Sequence, residues 1–95
     1  MHPYELLYII KPDVTDEARA ALVAKFGALI TTPGGTIEKT DEWGKRRLSY
    51  TINYITEGYY VIVNFTAAPD SIKELERNLR INEDVIRYMI LRTDE

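Results

Sequence analysis

The sequence predicts an α+β fold, and three features of the residue pattern lead to it. Residues 4–10 and 59–65 are β-rich and apolar on both faces, as central strands are. Residues 15–31 and 69–79 carry apolar side chains at helical spacing. A long alternating segment, residues 36–52, and a shorter apolar run near the C-terminus add two more strands. The predicted order is therefore strand, helix, strand, strand, helix, strand.

The ends of the two predicted helices are marked by residues that favour helix boundaries. Thr15 suits the N-cap of the first helix, and the run Pro33-Gly34-Gly35 ends it. Two starts fit the second helix. Either Pro69 occupies its first turn, or Ser71 caps it with Glu74 in the capping-box position.

With right-handed crossovers, this element order gives the split βαβ or ferredoxin-like sandwich, a four-stranded antiparallel sheet with two helices on one face. The two most apolar strands should form the inner pair, and residues 36–52 and 85–91 should form the edges. Within the long edge strand, Gly44 predicts a bulge or a tight bend. Residues 53–58 are predicted to form a turn.

Length and composition predict one domain spanning residues 1–95. The content of 45% hydrophobic and 28% charged residues is ordinary for a globular protein. The absence of cysteine excludes disulfides and thiolate metal sites. No apolar stretch approaches the ~20 residues of a membrane span, and no signal peptide is visible. These features predict a cytoplasmic protein with no membrane partner.

Residue types that carry catalysis are poorly represented, so no catalytic residue is predicted. The single histidine, His2, lies at the terminus, and no metal, cofactor or small-molecule site is indicated. A small hydrolase of this topology would need an anion-binding loop after the first strand. The sequence there is unsuitable because Pro12 lacks an N–H group and Asp13 repels anions.

Three consecutive cations, Lys45, Arg46 and Arg47, stand out in a chain of net charge -3. They could bind phosphates or an acidic partner, or they could be a solvated strand edge that deters pairing. Alternation predicts that Lys45 and Arg47 point one way and that Arg46 points inward, at the margin of the core. A second group of cations is interleaved with acidic residues, which favours ordinary surface pairing for most of its members. This group comprises Arg77, Arg80, Arg87 and Arg92.

Seven tyrosines allow a second interpretation, a stand-alone RNA-recognition module for single-stranded RNA. Such a module would stack bases on Tyr8 and Tyr59. The match to its sheet motifs fails at Glu57, Tyr60 and Asn64. Apolar residues on an uncovered sheet face better suit a protein partner.

Several runs along the whole chain form a specific combination. They are Tyr4-Glu5-x-x-Tyr8-Ile9-Ile10-x-Pro12, Gly34-Gly35, Trp43-Gly44-Lys45-Arg46-Arg47-Leu48-x-Tyr50, Glu57-Gly58-Tyr59-Tyr60, Asn64-Phe65, Leu75-Glu76-Arg77 and Arg80-Ile81-Asn82-Glu83-Asp84-Val85-Ile86-Arg87. Together they resemble the family of the sixth protein of the bacterial small ribosomal subunit. His2 departs from the family, which often has a stronger cation at this position.

The resemblance implies a ferredoxin-like fold and no enzymatic activity. It also implies binding to the central domain (platform) of 16S rRNA, as a heterodimer with the eighteenth small-subunit protein. Trp43 has two possible roles, a structural anchor for the bend or a partner contact. The candidate contact residues for rRNA or the protein partner are Lys45, Arg46, Arg47, Arg80, Arg87, Arg92, Tyr4 and Trp43.

Overall fold

The computed structural model describes residues 1–52 and 54–94, and for residues 49–52 it describes the backbone. Its six elements occur in the predicted order. They are β1 (His2–Ile10), α1 (Asp16–Thr31), β2 (Thr36–Ile52), β3 (Ile55–Ala67), α2 (Pro69–Ile81) and β4 (Val85–Arg92).

The four strands form one antiparallel sheet in the order β2-β3-β1-β4. This order confirms the predicted ferredoxin-like fold, with the two most apolar strands inside and β2 and β4 at the edges. The turn predicted for residues 53–58 is too long, because β3 already begins at Ile55. Glu57 and Gly58 continue the ladder by pairing with Arg47 and Arg46 of β2. Asn53 lies outside the described residues.

Helix α1 begins and ends at the predicted signals. The Thr15 hydroxyl oxygen accepts a hydrogen bond from the backbone N–H of Ala18 at 3.1 Å, which satisfies one of the free donors of the first turn. At the other end, Gly34 adopts a φ of 107°, a backbone conformation that favours glycine. This turn lets the N–H of Gly35 donate to the carbonyl of Ile30 at 2.9 Å.

Helix α2 begins with proline rather than with a side-chain cap. Ala68 is the N-cap residue and Pro69 opens the first turn, where its missing N–H would have no helical partner. The Ser71 hydroxyl instead donates to the carbonyl of Ala68 at 2.8 Å. The first of the two predicted starts is therefore correct, and the helix continues to Ile81, two residues beyond its predicted end.

The core lies between the sheet and the two helices. Tyr8 packs edge-on against Phe26 of α1, with ring centroids 5.1 Å apart, and Tyr4 stacks on Phe65 at 5.6 Å. Alternate residues of β1 and β3 meet the apolar faces of both helices. The other core residues are Leu6, Ile10, Leu22, Ile30, Val61, Val63, Ala67, Leu75 and Leu79.

The opposite face of the sheet has no helix over it within the described residues. This uncovered face carries Leu7, Met89 and Leu91, and the last two are 43% and 49% exposed. Ile9 also lies on this face yet is only 4% exposed. It lies between Tyr60 and Arg87 in the sheet and packs closely on Gly58, where a Cβ atom would come within 2.2 Å of the Ile9 Cγ2 atom. No helix among the described residues is long and apolar enough to cross a bilayer.

The Tyr8 hydroxyl group is buried and has no hydrogen-bond partner among the described residues. We expect Tyr8→Phe to leave the free energy of unfolding at pH 7 unchanged, or to raise it by about 1–2 kcal/mol, because it removes an unsatisfied polar group. Burial and then the Glu42 carboxylate raise the pKa of Tyr8 above its usual 10.0. The folded state therefore loses stability as the pH rises above 10, and Tyr8→Phe should lessen that loss.

Urea unfolding at pH 7 and pH 10.5 measures both effects. Tyr59→Phe is the matched control at pH 7, because the Tyr59 hydroxyl donates to Glu42 Oε1 at 3.0 Å and its removal should be mildly destabilising. A Tyr8→Phe variant clearly less stable than the parent at pH 7 would show that the hydroxyl is satisfied.

Candidate nucleic-acid and partner interface

A β-bulge at Trp43 and Gly44 interrupts the edge strand β2. Glu42 lies opposite Val61, and Gly44 lies opposite the next residue, Tyr60, so Trp43 is the extra residue. Gly44 has a φ of 81°, which few residues other than glycine adopt. The bulge predicted at Gly44 is confirmed.

The bulge determines which cations reach the uncovered face of the sheet. Directly opposite residues share a face, and Lys45 lies opposite Tyr59 while Arg46 lies opposite Gly58. Gly58 belongs to the uncovered face, so Arg46 projects there, and Lys45 and Arg47 lie on the helix side. The predicted separation of Arg46 from its neighbours is confirmed, but its inward direction is wrong. The faces depend on the register of β2 with β3, which shifts between Ile37 and Lys39 as well as at Trp43.

Trp43, Arg46 and Tyr60 form a cluster on the uncovered face, which we call the aromatic corner. The rings of Trp43 and Tyr60 are nearly parallel, with an interplanar angle of 13° and centroids 6.3 Å apart. The guanidinium carbon of Arg46 lies 5.9 Å from the indole centroid, within cation–π range. The three side chains line a shallow pocket of about 360 Å³, and Trp43 remains 50% exposed.

Four of the predicted contact residues make no ion pair with a carboxylate within the described ranges. Lys45, Arg46 and Arg47 are exposed along β2, and Arg80 is exposed near the end of α2. Arg87 is exposed on β4 opposite Ile9, on the uncovered face. The basic run on β2 therefore makes no ion pair in this part of the structure, although Glu57 lies opposite Arg47.

Arg92, in contrast, is held by a neighbouring carboxylate. Its Nε and Nη2 atoms donate to the two carboxylate oxygens of Asp94 at 2.6 and 3.1 Å. This bidentate pair raises the pKa of Arg92 and lowers the pKa of Asp94. Arg77 is paired with Glu74 at 3.1 Å in the same manner. Surface pairing was predicted for most members of the second cationic group, and Arg77 and Arg92 form such pairs.

The tyrosines that were predicted as contact residues face the helices. Tyr4 is 9% exposed in the core, and Tyr8 is 0% exposed. Tyr59 packs against the core from the same side. The stand-alone RNA-recognition interpretation is wrong in its choice of Tyr8 and Tyr59, because the register of β1 and β3 turns both rings away from the uncovered face. Tyr60 lies on that face, and the sequence pattern did not single it out.

A polar network beside the basic run was also missed. The guanidinium carbon of Arg19 lies 3.9 Å from the centroid of the Tyr59 ring, and the Tyr59 hydroxyl donates to Glu42. Arg19 also pairs with Asp16, which raises the pKa of the guanidinium group. Partial burial and then the Glu42 bond raise the pKa of Tyr59. This network links the start of α1 to β2 and β3 where the basic run begins.

Comparison with known proteins decides the family. The chain matches a family model described as ribosomal protein S6 over residues 3–92. The chain belongs to the ribosomal protein S6 family. It is 50% identical over 95 residues to the small ribosomal subunit protein bS6 of Exiguobacterium sibiricum and 55% identical to that of Alkaliphilus oremlandii. In both comparisons the alignment covers 100% of each chain.

A solved S6 structure supports the same assignment. The crystal structure of 30S ribosomal protein S6 from Thermotoga maritima superposes with a TM-score of 0.92 at 31% identity, covering 97% of this chain and 87% of that chain. The S6 family consists of small-subunit ribosomal proteins and is not an enzyme family. The predicted resemblance and fold are thus confirmed.

Among the described residues, no group of three or more His, Asp or Glu side chains could hold a metal ion.

The bulge gives a prediction about Gly44. No atom lies within 4 Å of a Cβ added there, so substitutions act through the backbone conformation rather than through a clash. We expect Gly44→Val to lower the free energy of unfolding by about 1–2 kcal/mol and to weaken the near-ultraviolet circular dichroism of Trp43. Gly44→Asn, which tolerates the left-handed region, should cost less and keep that signal. Equal losses in both variants would contradict the role of this backbone conformation.

Proposed function

We propose that this chain binds the central domain (platform) of 16S rRNA as a heterodimer with the eighteenth small-subunit protein, and so supports assembly of the subunit and translation. We place it in the cytoplasm, within the ribosome. Membership of the S6 family supports this proposal, because its relatives are small-subunit proteins. The observation that carries the RNA contact is the exposed basic run on β2, which makes no ion pair among the described residues.

The basic run suits phosphate binding at one place on an acidic body. Lys45, Arg46 and Arg47 are consecutive and exposed, and because side chains alternate along a strand they reach both faces of this edge. A phosphate backbone lying along this edge could therefore meet a cation on either side. The chain carries 12 basic and 15 acidic residues, so the rest of its surface does not attract a polyanion.

The uncovered face suits a protein partner. Its apolar side chains on β1 and β4 include Leu7, Met89 and Leu91, and the last two are about half exposed. Apolar surface of this kind contributes to protein interfaces, whereas it adds little to the binding of charged phosphates. Arg87 borders these residues and could pair with an acidic group of the partner or with a phosphate.

A shared RNA site explains why such a chain would act as a heterodimer. Affinity for RNA depends on the number of phosphates that are neutralised, because each one releases bound counterions. Three or four cations give weak binding by the chain alone. A basic partner bound to the uncovered face would add its own phosphate contacts and hold the basic run against the RNA.

Removing two cations tests the RNA contact. In Lys45→Gln/Arg47→Gln, we expect weaker binding of the heterodimer to a 16S rRNA central-domain fragment, and a salt slope smaller by roughly one for each phosphate that is no longer neutralised. Fluorescence anisotropy of labelled RNA at several KCl concentrations measures both quantities. The matched control is Lys25→Gln/Lys73→Gln, which removes the same charge from exposed positions on the helices.

Two results would contradict the proposal. If both double variants changed the salt slope equally, net charge rather than the basic run would account for binding. If the chain alone bound the fragment as tightly as it does with the eighteenth protein, the heterodimer would be unnecessary. That second result would favour an independent RNA-binding module.

A further inference from the structure

We propose that the aromatic corner is a stacking site for one unpaired nucleobase of the RNA. This inference rests on the proposed function, because it names the part of the RNA that Trp43, Arg46 and Tyr60 would bind. A stacked base is a contact distinct from the phosphate contacts of Lys45 and Arg47.

The geometry of Trp43 provides a flat and supported surface. The bulge makes Trp43 an extra residue, without a partner of its own on β3. Its ring lies nearly parallel to the ring of Tyr60, so the indole is oriented by a neighbouring aromatic ring. Half of its surface is nevertheless exposed. A supported aromatic ring that remains this exposed is suited to stacking, which contributes to RNA binding without regard to base identity.

The charge around the corner favours a nucleotide. The planar guanidinium group of Arg46 can stack on a base, donate to its edge or bind a phosphate, and no carboxylate of the described chain pairs with it. Glu38 and Asp41 are acidic residues of β2 on the same side. Glu38 is farther along the strand, where it accepts a hydrogen bond from the Thr66 hydroxyl at 3.3 Å. The carboxylate of Asp41 lies 3.3 Å from the ammonium group of Lys39, which offsets its charge.

Trp43 and Arg46, both on β2, lie apart from the apolar residues that suit a protein. Met89 and Leu91 lie on β4 at the other edge, whereas Tyr60 lies between them on β3 and also lines a pocket with Leu7 and Met89. With neighbouring strands about 4.8 Å apart, the two edges are roughly 14 Å from each other. A protein partner can therefore occupy the β1–β4 side and leave Trp43 and Arg46 to the RNA.

Trp43 is the single tryptophan of the chain, so its fluorescence reports on this site directly. The experiment adds the eighteenth small-subunit protein, made without tryptophan, and then a 16S rRNA central-domain fragment. Stacking on a base quenches indole emission, whereas coverage by protein protects indole from acrylamide before any RNA is present. We expect quenching when the RNA is added and little change with the partner alone. Protection by the partner alone would overturn the inference in favour of a protein contact.

Two substitutions separate stacking from charge. We expect Trp43→Leu, which keeps apolar bulk, to weaken RNA binding by the heterodimer roughly ten- to hundredfold without changing the salt slope. Trp43→Phe keeps an aromatic ring and should retain most of the affinity. Both variants should bind the protein partner as the parent does, which also shows that they are folded.

The outcomes distinguish failure of this inference from failure of the proposed function. If Trp43→Leu bound RNA like the parent while Lys45→Gln/Arg47→Gln lowered the salt slope, the stacking site would be wrong and the proposed function would stand. If Trp43→Leu weakened the protein heterodimer in the absence of RNA, the corner would be a protein contact. If neither variant changed RNA binding, both the stacking site and the assigned phosphate contacts would be wrong.

Discussion

The antiparallel pairing of β1 with β3 is the constraint on which the rest of the structure depends. It places Tyr4, Leu6 and Tyr8 opposite Phe65, Val63 and Val61, so one apolar set faces the helices as a unit. The intervening positions include the apolar residues Leu7, Ile9 and Ile62 beside the polar pair of Glu5 and Asn64, and the two helices cover a single face. The same pairing that builds the core therefore leaves apolar side chains on the other face, where an external partner can cover them.

The bulge on β2 adapts the edge of this sheet to a different purpose. An edge strand needs protection against unwanted pairing, and charged residues with a bulge provide it. Here the extra residue also turns Arg46 to the side of Trp43 and Tyr60 while Lys45 and Arg47 face the other way. The same stretch of β2 can therefore protect the edge against unwanted pairing and also form a binding site.

The sequence predicted features that depend on local chemistry and missed those that depend on register. The Thr15 cap, the Gly44 bulge and the inner strand pair follow from residue types, and all three are confirmed. The faces of Tyr8 and Tyr60 could not be predicted, because strands that are apolar on both faces show no alternation. The faces of the basic run depend on the register of β2 with β3, which is shifted at two places before the run. The pairing of Arg92 with Asp94 depends on side-chain geometry that residue spacing does not determine.

Side-chain footprinting within the assembled complex tests the central claim most directly, namely that the uncovered sheet face and its basic edge are the binding surface. Hydroxyl radicals would be applied to the chain alone and to its complex with the eighteenth protein and the 16S rRNA central domain. The account predicts strong protection of Trp43 and Met89 in the complex, while Pro33, exposed at the end of α1, remains reactive. Protection of Pro33 with Trp43 and Met89 still reactive would contradict it.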